Sequence, residues 1–276
     1  MNRVAAIQMA SGPNVHANLI EAKKLIDSAV ESGANLVVLP ENFALMGQAD
    51  SDMLAIREHY GSGPVQEFLS QQAAQHKIWL VGGTIPLVAD DPDKVRAACV
   101  VFDDKGDCKA RYDKIHLFDV HLPESEENYS ESTTIEAARE VVVIDTPLGR
   151  MGVAICYDLR FPELFRLMLD QGVELFAIPS AFTAITGKAH WETLIRARAV
   201  ENLCYVVAAA QGGFHVSGRE TYGDSMVVDP WGVVLDRLSR GSGVVVTDID
   251  HGLLESTRRN FPVIDHRRLP CSIGKD

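Results

Sequence analysis

Asn35-Leu36-Val37-Val38-Leu39-Pro40-Glu41-Asn42, residues 35–42, is a short apolar run stopped by a proline and followed at once by a carboxylate. A run this short and uniformly apolar reads as a strand buried on both faces, as in a parallel sheet. Pro40 ends it, because proline has no N–H to give a central ladder. Upstream, residues 4–9 read the same way. Residues 18–32 repeat Leu19, Ala22, Leu25, Ile26, Ala29 and Val30 at helical spacing, closed by Gly33. Downstream, Pro64 opens a second helix to about residue 75, and 78–81 is the next strand. Helices alternating with short apolar strands predict an α/β layered protein.

The middle of the chain changes character. Residues 97–102, a turn at Asp103-Asp104-Lys105-Gly106-Asp107, and residues 108–112 predict an antiparallel hairpin. Residues 119–140 are polar, acidic and aperiodic, and read as a loop. Strands at 141–144 and 151–155 flank Pro147-Leu148-Gly149. The second half then repeats the layout of the first, with helices over 162–170 and 190–203. Strands are expected at 174–178, 205–210, 225–228, 233–236 and 244–249. Strand, reactive residue and helix follow one another twice, at Glu41 and at Cys156, which predicts two similar halves. The absence of a Pro- or Ser-rich linker argues that 1–276 is one domain.

A net charge of −12 without a Lys/Arg block argues against nucleic acid or an anionic membrane as partner. The five cysteines, Cys99, Cys108, Cys156, Cys204 and Cys271, form no C-x-x-C pair and resemble neither a zinc site nor a disulfide framework. The nine histidines show no H-E-x-x-H pattern. Residues 1–7 enter a strand without a signal-peptide pattern, and no apolar stretch approaches membrane-spanning length. A reducing, cytoplasmic setting with no metal is the expectation.

Three residues stand out at strand ends. Cys156 follows an apolar run and precedes Tyr157-Asp158-Leu159-Arg160-Phe161-Pro162-Glu163, where proline opens a helix. A thiol facing a helix start is favoured as thiolate, the form that attacks. From this pattern alone Cys156 reads equally well as a nucleophile or as a small buried hydrophobe. Glu41 is costly at the end of a buried strand unless paired or functional, and otherwise reads as a surface-loop residue. Lys114, in Tyr112-Asp113-Lys114-Ile115-His116-Leu117-Phe118, is an ammonium in an apolar setting, or a lysine reaching solvent. A buried carboxylate–ammonium–thiol cluster would answer all three costs and supply a base, an electrostatic stabiliser and a nucleophile for cleaving a carbon–nitrogen bond. His116 or His190 as base for Cys156 is the competing arrangement.

Taken together, 6–9, 39–43, 112–119, 152–163, 190–192, 196–202 and 229–232 resemble the nitrilase superfamily of carbon–nitrogen hydrolases, nearly end to end. The resemblance implies a four-layer α-β-β-α sandwich, a Glu–Lys–Cys triad at Glu41, Lys114 and Cys156, self-association as a homodimer or larger homo-oligomer, and no cofactor. It also implies a second glutamate, best matched by Glu131 in Tyr129-Ser130-Glu131-Ser132, with Glu124, Glu126, Glu127 and Glu136 nearby. Cys156-Tyr157-Asp158 is similar to the amidase branches. The implied substrates are small carboxylated amides, such as deaminated glutathione or the monoamides of 2-oxo dicarboxylic acids. One departure is Tyr222-Gly223-Asp224-Ser225, where related amidases show Gly-His-Ser.

For such a substrate the Tyr157 N–H and Lys114 would face the oxyanion. Arg160, four residues after Cys156, would hold the carboxylate, unless it pairs with Asp158 or Glu163. Phe182 and Thr186, read as lying in the loop after 174–178, would line the pocket. The helix at 162–170, with Leu164, Phe165, Leu167, Met168 and Leu169, carries more apolar surface than one packed stripe needs and is the expected contact face between copies. A catalytically silent scaffold on the same fold is the rival reading.

Overall fold

The computed structural model describes residues 2–49, 51–122 and 127–271. Its centre is two twisted sheets stacked face to face. In the first, Arg3–Gln8, Leu36–Val38 and Trp79–Val81 run parallel. Gly243–Asp248 adds antiparallel to one side. Val95–Phe102 adds to the other and carries Ile85–Val88 and Cys108–Asp113. In the second, Gly149–Val153, Leu175–Ser180 and Tyr205–Ala210 run parallel, flanked by Val143–Thr146 and by Ser225–Val228 with Val234–Leu238. Each sheet therefore holds a three-strand parallel core, as the repeated layout of the sequence predicts.

Alternation along the strands builds the layers. Val4, Ala6, Leu36 and Val38 point to the second sheet and join Val153, Phe176, Val207 and Val227 in one buried cluster. Their neighbours Ala5, Ile7, Val37 and Leu39 point the other way, against Ala22, Ile26 and Ala29 of helix Val15–Glu31 and Leu69 and Ala73 of helix Pro64–His76. Helices Pro162–Asp170 and Ala184–Asn202 cover the outer face of the second sheet with Leu164, Phe165, Met168, Trp191 and Ile195. The order is helices, sheet, sheet, helices. No helix among the described residues is long and apolar enough to cross a membrane.

Four expectations change. The second-half helix starts at Ala184 rather than 190, because the Thr183 hydroxyl caps it by accepting from the Thr186 N–H. Thr186 is thus in the first helical turn and not in a loop. The aperiodic 119–140 segment contains a small hairpin, Asp119–Leu122 with Glu127–Ser130, and a 3-10 turn at Glu131–Thr133. Glu124 and Glu126 lie outside the described residues. Helix Pro162–Asp170 packs Leu164, Phe165, Met168 and Leu169 into the chain's own core and leaves Leu167 half-buried, so it carries less exposed apolar surface than the sequence suggests. A hairpin of Gly212–Phe214 with Glu220–Tyr222 and a C-terminal helix His251–Asn260 were not legible in the sequence.

Candidate active site

Glu41 and Cys156 both follow the C-terminal ends of parallel strands, one from each sheet, where open α/β sheets leave a crevice for ligands. Two local devices aim Glu41. Asn42 adopts the left-handed conformation, φ 56°, and its N–H donates to Thr84 Oγ1 at 2.8 Å. A Cβ on Gly83 would sit 2.2 Å from the Pro40 carbonyl oxygen, so glycine here permits the close approach of the two chain segments. Gln211 ties the sheets at this point: its side-chain amide donates to the Glu41 carbonyl (3.0 Å) and to Ser11 Oγ (2.8 Å).

Lys114 follows strand Cys108–Asp113 and is fully buried, so its ammonium does not reach solvent. Its Nζ donates to Glu41 Oε1 at 2.8 Å and to Glu131 Oε1 and Oε2 at 2.9 and 2.8 Å. Burial alone would disfavour the ammonium, but Glu131 and Glu41 outweigh it and hold the Lys114 pKa well above its ordinary value. The Phe118 N–H donates to Glu131 Oε2 at 2.8 Å and fixes that carboxylate.

Cys156 opens a 3-10 turn, Cys156–Arg160, with φ 48°, a conformation a side chain adopts at some cost. The helix start it faces is this turn; the α-helix begins only at Pro162. Buried Asp158 holds the turn. Its Oδ2 accepts from Ile155 N (2.8 Å) and Tyr112 OH (2.7 Å), and its Oδ1 from His116 N (3.0 Å), with His116 Nδ1 at 2.7 Å. His116 is stacked on Phe161 at 3.7 Å. Burial first, then the Glu41 charge, pushes the Cys156 thiol well above its usual range; Lys114 and the Ala181 N–H pull against them.

Around Cys156 lies a small chamber lined by Phe118, Glu131, Tyr157, Arg160, Phe182 and Thr186, together with Arg219. A base, a buried ammonium and a thiol beside a small chamber form an arrangement able to attack a carbonyl and hold the resulting oxyanion.

Residues 3–259 match the carbon–nitrogen hydrolase family model. The chain is 39% identical over 271 residues to a deaminated glutathione amidase of Yersinia enterocolitica, covering 98% of this chain and 94% of that one. The chain is a carbon–nitrogen hydrolase of the nitrilase superfamily.

Among solved structures, this hydrolase superposes on Nit3 of Saccharomyces cerevisiae, described as a member of branch 10 of the superfamily, with TM-score 0.87 and 33% identity over 97% of both chains. It matches the NitFhit protein of Caenorhabditis elegans equally well (TM-score 0.87, 39% identity, 97% of this chain), covering 65% of that longer chain. These likenesses confirm the α-β-β-α sandwich and the C–N hydrolase class.

Each residue singled out in the sequence as lining a pocket does line the chamber, but two sit differently from expectation. Arg160 pairs with neither Asp158 nor Glu163. Its guanidinium lies over the Phe182 ring (5.2 Å) and the Tyr157 ring (5.8 Å), with Nη1 3.2 Å from His190 Nδ1. Burial lowers its pKa. Thr186 shares a 2.8 Å hydroxyl contact with Thr183. Asp224 is absent from the chamber lining; it is buried at φ 60°, accepts from Arg237 Nε at 2.9 Å, and its carbonyl accepts from Trp191 Nε1 at 2.8 Å. Neither His116 nor His190 is hydrogen-bonded to Cys156; both are engaged elsewhere. Arg219 and Phe118 were missed. Arg219 stands in a polar Ser217-Gly218-Arg219-Glu220 turn that carries no signal of its own.

Proposed function

We propose that this hydrolase cleaves the amide bond of a small carboxylated amide through a Cys156 thioester, with deaminated glutathione, the substrate in its relatives' name, as the leading candidate. The observation that carries the reading is the buried Lys114 ammonium shared between Glu41 and Glu131 beside a buried thiol. Glu41 takes the Cys156 proton as sulfur adds to the amide carbonyl. The oxyanion meets the Tyr157 N–H and Lys114. Lysine has three donors, and in the resting site one goes to Glu41 and two to Glu131. Protonation of Glu41 removes the charge holding its contact, which releases one Lys114 donor toward the oxyanion. The C–N bond then breaks, and the nitrogen leaves with the proton from Glu41. Water, deprotonated by Glu41 or Glu131, cleaves the thioester and returns a proton to sulfur. The cycle calls for no metal or organic cofactor.

Cys156→Ala is expected to fold and to lose turnover, while wild-type enzyme mixed with substrate should show the acyl mass on Cys156 by intact mass spectrometry. Wild-type rates in Cys156→Ala would reject the mechanism and favour a silent scaffold. An omega-amidase acting on 2-oxo dicarboxylic acid monoamides is the second reading; both kinds of substrate carry the amide at the far end of a 2-oxo acid.

The same reading places the chain as a single domain in a reducing, cytoplasmic compartment that keeps the Cys156 thiol available. It also makes the protein at least a homodimer. In support, Trp231 and Phe261, edge to face with centroids 5.5 Å apart, stand exposed, as do Val200 and Val233. Trp231→Glu should yield a monomer mass by light scattering at micromolar concentration; a wild-type monomer would defeat the assignment.

A further inference from the structure

Glu41 follows a strand of the first sheet and Cys156 a strand of the second, so base and thiol meet only if the two sheets are locked together at this end. A buried polar chain provides the lock. Gln211, after strand Tyr205–Ala210, donates from Nε2 to the Glu41 carbonyl (3.0 Å) and to Ser11 Oγ (2.8 Å). Its Oε1 accepts from the Ser11 N–H at 3.0 Å, and Ser11 Oγ donates to the Phe43 carbonyl at 2.9 Å. The two carbonyls on either side of left-handed Asn42 are thus each held by a buried donor. A carbonyl only accepts and a backbone N–H only donates, so the Gln211 amide has one orientation that satisfies every partner.

The chain continues beyond Ser11. Buried His215 places Nδ1 2.8 Å from the Ser11 carbonyl, so Nδ1 carries a proton and donates it there. In the neutral ring Nε2, 2.7 Å from Thr221 Oγ1, accepts from that hydroxyl. Burial above all, with the Arg219 charge, lowers the His215 pKa and favours this form, although the Ser11 carbonyl opposes them. His215 also closes its own turn: its N–H donates to the Arg219 carbonyl, and its carbonyl accepts from the Gly218 N–H, both at 2.9 Å. That turn brings Arg219 to the Cys156 chamber and to an adjoining cleft of about 450 Å³, which Glu41 also faces. His215 itself is absent from both linings. What its ring secures is the chain of contacts beneath Glu41.

We propose that His215 is a positioning residue: through Ser11 and Gln211 it fixes the backbone that presents Glu41, and so sets how well the base meets the Cys156 thiol. This rests on Glu41 as base in the thioester reading above and deepens it.

The test uses the full-length enzyme with deaminated glutathione as substrate, and iodoacetamide alkylation of Cys156 followed across pH by peptide mass spectrometry. His215→Ala is expected to lower kcat by about 10- to 100-fold with KM little changed. The alkylation profile should move downward, because Glu41 retreats and its charge raises the thiol pKa less. A variant that only destabilised the fold would leave that profile in place. His215→Asn, which still donates to the Ser11 carbonyl, should keep most of kcat. Gln211→Met should reproduce both effects of His215→Ala. The double variant should fall no more than about 2-fold below the slower single one, since both act along one chain.

Losses that multiply in the double variant would overturn the proposal, as would an unmoved alkylation profile in His215→Ala. So would a His215→Ala loss that multiplies with Gln211→Met but not with Arg219→Gln, which would assign His215 to the Arg219 turn. Should His215→Ala fail to fold, His215→Gln takes its place in the cycle, because its longer amide reaches the Thr221 end and not Ser11. Wild-type kcat in Glu41→Gln would reject Glu41 as base, and the proposal with it. An inactive Glu41→Gln beside an unaffected His215→Ala would reject His215 alone.

Discussion

Both carboxylate oxygens of Glu131 accept from Lys114 Nζ, at 2.9 and 2.8 Å. This carboxylate comes from a 3-10 turn in the least periodic part of the chain, yet it shares the buried ammonium with Glu41. The site thus places two carboxylates and one ammonium around the thiol, and electrostatics set how that thiol behaves.

Removing either carboxylate charge should make the thiol more acidic. Glu41 raises the Cys156 pKa more than Glu131 does, after burial itself. Glu41→Gln is therefore expected to move the pH profile of Cys156 alkylation downward, by more than Glu131→Gln, while hydrolysis falls by at least about 100-fold. The opposite movement would mean that Glu41 stabilises the thiolate at rest and not only during attack.

Stability should decline on the alkaline side. Burial raises the thiol pKa of Cys156 and Cys99 well above the usual value and that of Cys204 to about 12. Lys114 is raised as well, its carboxylate partners outweighing the opposing effect of burial. Each group binds its proton more tightly folded than unfolded. Its contribution is complete below the unfolded value, about 8.5 for Cys and 10.4 for Lys, and is lost as pH rises toward the folded value. Denaturant unfolding from pH 7 to 10.5 should show a falling ΔG above about pH 8.5, with a shallower slope in Cys99→Ser. A flat profile would contradict these directions.

Asp158→Asn should disturb the turn that presents Cys156. Asp158 accepts from Tyr112, Ile155 and His116, and an amide cannot accept all of them. One or more buried donors would be left unpaired, at about 1–3 kcal/mol, readable by thermal denaturation. A fall in kcat with KM nearly unchanged is expected alongside. Unaltered kcat and stability would show that the turn holds without this carboxylate.

Arg160→Lys should separate charged from neutral substrates. The guanidinium has no carboxylate partner among the described residues and lies against two aromatic rings at the chamber wall. Losing a bidentate contact to a 2-oxo carboxylate should cost about 1.5–3 kcal/mol in kcat/KM on acid amides and much less on neutral ones. Equal losses would assign Arg160 to holding Tyr157 and Phe182.

The residues carrying reactive groups were legible because each breaks an apolar strand pattern at its end. Glu41 after Leu36–Val38 and Cys156 after Gly149–Val153 are violations of burial that local sequence exposes. Period-2 and period-3.6 patterning likewise marked the parallel strands and most helices, since those signals depend only on neighbours in the chain. The start of helix Ala184–Asn202 escaped because its first turn, with Gly187 against Tyr222, buries through a close approach and not an apolar stripe.

What the chain's local order could not determine is which distant groups share a charge or a wall. Glu131 competes with four nearby glutamates in sequence, and only the fold brings its carboxylate to Lys114. Arg219 lies in a turn indistinguishable from any solvated one until the Gly212–Phe214 hairpin and His215 carry it between the chamber and the cleft. Asp224 reads as a lost histidine, yet the tertiary structure turns it toward Arg237. Patterns of burial are written in near neighbours; the energy of a buried charge depends on partners tens or hundreds of residues away, and only packing the two sheets together selects them.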